Sequence, residues 1–96
     1  MAVLRFLRVL SDGDLCAMAD YYRDTDIYAP PVRDELCRRF SEAPGALLNE
    51  LGEWEPETQE RVCAILAERC GGRLPEKPAD LTPEGETAYE TLLCAA

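Results

Sequence analysis

The residues that could do chemistry in this 96-residue chain are its thiols and its carboxylates. The sequence has five cysteines, 19 aspartates and glutamates, and no histidine. A cysteine or serine nucleophile generally needs an adjacent base, and general acid–base catalysis needs groups with tuned pKa values. Without histidine, and with acids that a solvated surface explains, the sequence indicates a protein that is not an enzyme.

The cysteines follow neither a metal-binding nor a disulfide pattern. They stand at positions 16, 37, 63, 70 and 94, and no two are spaced as Cys-x-x-Cys. Structural zinc sites usually draw on closely spaced ligand pairs, and an odd number of thiols cannot pair completely within one chain. Most of these cysteines have Leu, Val or Ile as neighbours, which is typical of small buried apolar groups. The sequence predicts five reduced thiols and no bound metal or cofactor.

The acids are concentrated in two stretches. Residues 42–60 carry six acids and no base, and residues 12–26 carry five acids and one arginine. Acids near helix N-termini complement the helix dipole at about 0.3–1 kcal/mol each, which accounts for several of them. The others favour a surface that binds a basic protein partner. The residues predicted to bind this partner are Glu50, Glu53, Trp54, Glu55, Glu57, Tyr21 and Tyr28.

Net charge and apolar content restrict the other partners and the compartment. A formal charge of −9 with a single lysine disfavours nucleic acid and anionic membranes. No apolar run reaches the roughly 18 residues that span a bilayer. Arg5 and Arg8 interrupt the N-terminal apolar stretch instead of preceding it, which is unlike a secretory signal. We expect a single cytoplasmic domain over residues 1–96.

The stretch from Glu55 to Gly71 carries the strongest helical signal. Pro56 suits the first helical position, and Val62, Ile65 and Leu66 recur at helical spacing. The same periodicity predicts short helices over about 2–10, 12–23, 31–41 and 44–52, and from residue 83 onward. A linker-like loop over 72–80 precedes the last helix. The sequence therefore predicts an all-α, compact bundle of five or six short helices packed around the helix at 55–71.

Several residues at the helix ends have predicted roles. Ser11 and Thr82 are expected N-caps. Residues 28–31 are expected to form an extended approach to the third helix, because proline disfavours helix in the residue before it. Trp54 is expected to fill the hinge between two helices, and the alternative is an exposed anchor for a partner.

Two further sets of apolar residues have predicted positions. Ile27 and Tyr28 are expected to fold back onto the core, although they could form an exposed contact instead. In the first helix, Val3, Phe6, Leu7 and Leu10 share one face, and Arg5 and Arg8 point away from it.

Two helical segments share a pattern. DELCRRF at 34–40 aligns with ERVCAIL at 60–66, and each follows a short apolar helix and a turn containing proline. Over residues 15–71 this layout resembles helical repeats of the HEAT type, in which helix pairs stack and a proline often opens the second helix. Pro31-Val32-Arg33 fits that pattern and Thr58-Gln59 departs from it. The resemblance implies two stacked helix pairs and a C-terminal helix. The alternative is that the two segments match by chance, because amphipathic helices of similar length share the same periodicity.

These features favour a small acidic protein that binds and regulates or inhibits a partner protein. An acidic surface could compete with nucleic acid for a basic groove, or the exposed aromatic residues could block the partner sterically. Small size, acidity and the lack of catalytic groups are the general profile of small inhibitors such as immunity proteins or phage-encoded antagonists of host defence. The likeness is one of profile and not of a sequence motif. The alternative is a structural protein, either a helical scaffold or an assembly subunit that forms a homo-oligomer.

Overall fold

The amphipathic stretches of the sequence fold into helices in the computed structural model, which describes residues 2–23, 27, 29–70, 74 and 76–95. The side chains of residues 2–5 and of Cys70 lie outside this description. Six helices occupy the described ranges: α1 Ala2–Val9, α2 Asp12–Tyr21, α3 Ala29–Glu42, α4 Pro44–Leu51, α5 Pro56–Cys70 and α6 Pro83–Ala95. These ranges contain no strand, so the prediction of an all-α bundle is confirmed. No helix in them has the length and apolar character to cross a bilayer.

The core lies between α4, α5 and the helices that both of them contact. Leu66 and Val62 of α5 are fully buried, as the strong helical signal predicts. However, the short helix α4 is equally central, because it also packs against α2, α3 and α6. Its Leu47, Leu48 and Leu51 are all fully buried. The bundle is therefore organised around two helices, of which the sequence indicated only the longer one.

The predicted N-caps are present. The backbone N–H of Asp14 donates to Ser11 Oγ (3.1 Å), and the backbone N–H of Gly85 donates to Thr82 Oγ1 (3.0 Å). Each bond satisfies an N–H group that has no acceptor within its own helix. The starts of α2 and α6 are therefore encoded locally.

The segment before α3 differs from the expectation. Ala29 and Pro30 already belong to the helix, so residues 29 and 30 are not an extended approach. Proline is tolerated there, because first-turn N–H groups have no intrahelical acceptor to lose. Ala29 and Val32 are buried in the core, whereas Ile27 is 76% exposed. The expectation that Ile27 folds back onto the core is therefore wrong. Tyr28 lies outside the described residues.

The helix α1 is only partly buried. Leu7 is 1% exposed and Leu10 packs against the core, but Phe6 is 54% exposed. The helix α1 packs mainly against α3, and this contact leaves Phe6 and Val9 exposed.

The helix pairing matches the HEAT-type resemblance in part. The helices α2 and α3 pack against each other, as the members of a repeat pair do. By contrast, α4 and α5 make little direct contact and each packs against α6 instead, so the second expected pair is not formed. The C-terminal helix, which lies outside the region of resemblance, thus joins α4 to α5 across the core.

Candidate protein-binding surface

Four exposed carboxylates surround the junction between α4 and α5. Glu50 lies in the last turn of α4, Glu53 and Glu55 lie in the connecting turn, and Glu57 lies in the first turn of α5. We call these four residues together with Trp54 the acidic surface. The structure therefore brings together five of the seven residues that the sequence predicted for partner binding.

The turn that carries the acidic surface is held by a buried glutamine. The side-chain amide of Gln59 donates to the backbone carbonyl oxygens of Trp54 (2.8 Å) and Gly52 (3.2 Å). Gln59 is only 6% exposed, so these bonds are protected from water. The backbone N–H of Trp54 also donates to the carbonyl of Leu51 (3.1 Å). The sequence analysis missed this role of Gln59, and its only signal was a departure from the repeat pattern.

Trp54 lies in the turn between α4 and α5. Its side chain is half-buried and packs against the core, so it fills the space between the two helices. The remaining part is accessible beside the carboxylates. An aromatic residue in this position presents a rigid apolar group that loses little conformational entropy when a partner covers it.

The first turn of α2 lies against the acidic surface. A methyl group placed on Gly13 would lie 3.2 Å from a carboxylate oxygen of Glu50 and 4.0 Å from the indole nitrogen of Trp54. The N-terminal end of α2 carries a partial positive charge, which favours a carboxylate at this place. Since Gly13 is far from both residues in the sequence, no local pattern could predict this contact.

Tyr21 stands at the other end of α2. The helix rises by about 12 Å between residues 13 and 21, so Tyr21 is distant from Trp54 along the helix axis. Its ring is 77% exposed and packs edge-on against that of Tyr22, with ring centroids 4.8 Å apart. Tyr21 is therefore accessible but separate from Gly13 and Trp54, and Tyr28 lies outside the described residues.

A cluster next to Tyr21 fixes α2 against α5. Asp20 accepts hydrogen bonds from the Arg61 guanidinium, of which the Nη2 bond measures 3.0 Å, and from the Thr58 hydroxyl (3.3 Å). The Arg61 hydrogen bond lowers the pKa of the Asp20 carboxyl, against the effect of burial. The group is ionised at neutral pH and acts as a structural anchor between the two helices.

A second cluster joins α3 to α1 and α2. Glu35 pairs with Arg38 (2.6 Å) and Arg39 (2.8 Å), and Arg39 also pairs with Asp12 (3.0 Å). The hydrogen bond from Arg38 lowers the pKa of Glu35 to about 2, although burial acts in the opposite direction. Arg39 also donates to the carbonyl oxygen of Leu7 (2.7 Å), and so ties down the end of α1. These arginines are engaged in holding helices together.

The acidic surface differs from these clusters in its charge balance. Within the described part of the chain, no arginine or lysine forms an ion pair with Glu50, Glu53, Glu55 or Glu57. The carboxylates of α2 and α3 that have partners hold the fold, whereas these four are presented to solvent. Arg61 interacts electrostatically with Glu57 and Glu55 without pairing with either, so it offsets part of their charge. The remaining negative charge is available to an approaching molecule.

The thiols show no sign of activation. Burial raises the pKa of the Cys16 thiol and that of the Cys63 thiol to about 12, so both are protonated at neutral pH. Cys94 is exposed and Cys37 is half-buried. The described residues include no group of three or more cysteines and acids that is placed to hold a metal ion.

A shallow groove of about 500 Å³ lies between α5 and α6. Glu60 lines it from α5, close to the acidic surface because it follows Glu57 by three residues on the same helix. The residues that line it from α6 are Thr87, Glu90, Thr91, Cys94 and Ala95. The sequence analysis did not identify this groove, because it depends on how α6 docks.

No protein-family model matches this chain, and neither a curated protein nor a solved structure matches it. The interpretation of the acidic surface therefore depends on its own geometry and charge.

Proposed function

We propose that this protein is a small non-enzymatic protein that regulates or inhibits a partner protein by binding its basic surface. The observation that carries the proposal is the group of four exposed carboxylates around the half-buried Trp54, none of which forms an ion pair with a residue that the structure describes. Carboxylates grouped at the junction of two helices create a local negative potential, which attracts a basic surface and orients it before contact. The indole then supplies apolar contact area near the centre of the patch.

A basic groove that binds nucleic acid is the partner that suits this surface best. Such a groove gains affinity by neutralising phosphates with Lys and Arg. A row of carboxylates offers the same sign of charge and would compete for the same cations. The protein itself has a net charge of −9, which opposes direct contact with nucleic acid or anionic membranes.

The ionisable groups support a binding role over a catalytic one. Asp20 and Glu35 are held ionised by arginines, and the buried thiols Cys16 and Cys63 are held protonated. General acids and bases instead need pKa values near the working pH. Cysteines without a disulfide pattern also suit a reducing cytoplasm, where we propose that the protein acts.

The proposal is tested by capturing partners from a native cell extract on the immobilised protein and identifying them by mass spectrometry. The captured partner is then used in binding kinetics with a variant in which Glu53, Glu55 and Glu57 are replaced by glutamine. We expect slower association and a weaker dependence on ionic strength, because rim charges act mainly on the association rate. Trp54→Ala is expected to speed dissociation, provided that circular dichroism shows an intact fold.

A matched control separates local charge from net charge. Glu42, Glu68 and Glu76 are also exposed, and their replacement by glutamine changes the net charge by the same amount. The control variant should associate at nearly the wild-type rate. If both triple variants behave alike, or if neither they nor Trp54→Ala affect binding, the acidic surface is not the interface.

One observation favours a second function, that of a self-associating scaffold. Phe6 and Val9 lie three residues apart on α1 and are 54% and 81% exposed, so α1 presents apolar groups to solvent. Association of copies through α1 would cover them. Sedimentation analysis at micromolar concentration separates the two functions. A stable oligomer that dissociates when Phe6 is replaced by serine supports the scaffold. A monomeric wild-type protein supports the binding function.

A further inference from the structure

The groove between α5 and α6 has a carboxylate on each wall. Glu60 of α5 and Glu90 of α6 are both exposed, and no described cation forms an ion pair with either. The helix α6 contains three glutamates and no basic residue. Its one ion pair among the described residues joins Glu86 to Lys77 at 3.3 Å. The groove is therefore negative at Glu60 and Glu90, which we call its rim.

The other lining residues, which we call the floor, have small side chains and expose mainly apolar surface. The hydroxyls of Thr87 and Thr91 donate to carbonyl oxygens one turn back on α6, at 3.2 Å and 3.0 Å. These donors are thus occupied, and the two methyl groups remain to line the groove with Cys94 and Ala95. A floor of this kind accepts apolar side chains, while the rim attracts cations.

The walls determine which backbone conformation can dock. An extended segment gains affinity from main-chain hydrogen bonds to a strand edge. The backbone groups along α5 and α6 are already bonded within their own helices, so they cannot supply such an edge. A helix satisfies its own backbone and packs through side chains. The 13 residues of α6 extend over about 20 Å, enough to contact a partner helix of similar length.

We propose that this groove receives an amphipathic helix of the protein partner, with lysine or arginine side chains against Glu60 and Glu90 and small apolar side chains on the floor. This inference rests on the proposed function, because the groove adjoins the acidic surface at Glu60 and would extend the same interface. Charge complementarity selects a basic helix over an acidic one.

The test uses a synthetic helical peptide of leucine, alanine and lysine, together with a second peptide in which glutamate replaces lysine. Cys94 reports occupancy through its rate of modification by a maleimide, followed by peptide-mapping mass spectrometry. At a lysine-peptide concentration of about ten times its Kd, we expect modification of Cys94 to slow about tenfold, because only the free groove exposes the thiol. The glutamate peptide should give no protection.

Matched variants localise the effect. A reference thiol introduced by Ser41→Cys, at an exposed position on α3, should keep its reactivity in the presence of the lysine peptide. The double variant Glu60→Gln, Glu90→Gln should raise the Kd of the peptide roughly 2- to 10-fold. The control Glu68→Gln, Glu76→Gln makes the same charge change outside the groove and should leave the Kd near the wild-type value.

Equal protection of both thiols, or equal Kd values for the two double variants, would overturn the groove assignment. The captured natural partner tests the proposed function separately from the groove. If its binding depends on Glu53, Glu55 and Glu57 while Cys94 stays reactive in the complex, the groove inference fails and the proposed function stands. If the lysine peptide protects Cys94 but no captured partner depends on the acidic surface, the proposed function fails and the preference of the groove for basic helices stands.

Discussion

Asn49 in α4 fixes the start of α6 through Thr82. The side-chain oxygen of Asn49 accepts hydrogen bonds from the backbone N–H (2.8 Å) and the hydroxyl (3.2 Å) of Thr82. The side-chain nitrogen of Asn49 donates to the carbonyl oxygen of Asp80 (3.1 Å). A single side chain thus holds both the chain before α6 and its N-cap residue. Because α6 forms one wall of the groove, this interaction also sets the geometry of the groove.

Replacement of Asn49 by alanine should lower the free energy of unfolding by about 1–3 kcal/mol, since it removes three hydrogen bonds and leaves polar groups without their partners. Urea denaturation followed by circular dichroism measures the change. Ser41→Ala serves as the control, because Ser41 is exposed and its removal should change stability by less than about 0.5 kcal/mol. A loss no larger than that of the control would show that Asn49 does not hold α6.

The close approach of α4 and α6 gives a second prediction. A methyl group on Gly52 would overlap the carbonyl oxygen of Glu84, a backbone atom that cannot move aside independently. Gly52→Ala should therefore destabilise the fold by about 1–3 kcal/mol through overpacking. Gly52 has helical dihedral angles (φ −63°, ψ −17°), so backbone strain would not contribute.

Gly13→Ala is the matched control for Gly52→Ala. The nearest obstacle to a methyl group on Gly13 is the flexible end of Glu50, at 3.2 Å. Gly13 lies within α2, where alanine is the better helix former, so the substitution should be neutral or stabilising by up to about 1 kcal/mol. Equal thermal stability of the two variants would contradict the predicted close approach at Gly52.

Local sequence patterns predicted much of this fold. The caps at Ser11 and Thr82 and the buried positions of α5 depend on residues within a few positions of each other, so periodicity and capping rules apply directly. The central place of α4 and the exposure of Ile27 depend on which helices cover each other. Eight residues give too short a pattern to reveal that α4 is surrounded on several sides.

The candidate site was predictable to a lesser extent. Its carboxylates and Trp54 stand close together in the sequence, so their clustering required no tertiary information. The contact of Gly13 with the turn joins residues distant in the sequence, and the groove at Glu60 depends on helix docking. The side-chain amide of Gln59 bonds only five and seven residues back along the chain, but its acceptors are backbone oxygens, which no side-chain pattern marks. The ion pairs could not be predicted either, because the sequence does not show which acids lie beside an arginine in the folded protein.

The pairing of Glu35 predicts a specific pH dependence. Its pKa is lowered from the ordinary value of 4.5 to about 2, mainly by the hydrogen bond from Arg38. A depressed folded-state pKa means that this stabilisation is complete above about pH 4.5 and is lost as the pH falls toward 2. Denaturation measured between pH 7 and pH 2.5 should show a falling free energy of unfolding below about pH 4.5.

Variants isolate the contribution of Glu35 to this acid sensitivity. Glu35→Gln should be less stable than the wild type at pH 7 and should show a shallower decline below about pH 4.5, since its side chain does not titrate. Glu76→Gln, at an exposed position, should follow the wild-type curve. Parallel curves for wild type and Glu35→Gln would show that other carboxylates are responsible.

The core position of Leu66 predicts a large loss of stability. Leu66 is fully buried, so Leu66→Ala should lower the free energy of unfolding by about 2–5 kcal/mol through lost burial and the cavity left behind. Leu93, which is 49% exposed, provides the control, and Leu93→Ala should cost less than about 1 kcal/mol. A loss under about 1 kcal/mol for Leu66→Ala would show that α5 is peripheral.

The thiols should fall into separate reactivity classes. Cys94 is exposed and should react with an aromatic disulfide within the first phase at pH 8, whereas Cys16 and Cys63 should react only as fast as the protein opens. Their burial both blocks access and raises the pKa to about 12, which leaves almost no thiolate. After unfolding in denaturant, all five cysteines of the sequence should titrate as free thiols in protein purified under reducing conditions. Mass spectrometry of the partly labelled protein identifies the fast thiol, and early labelling of Cys16 or Cys63 would contradict their place in the core.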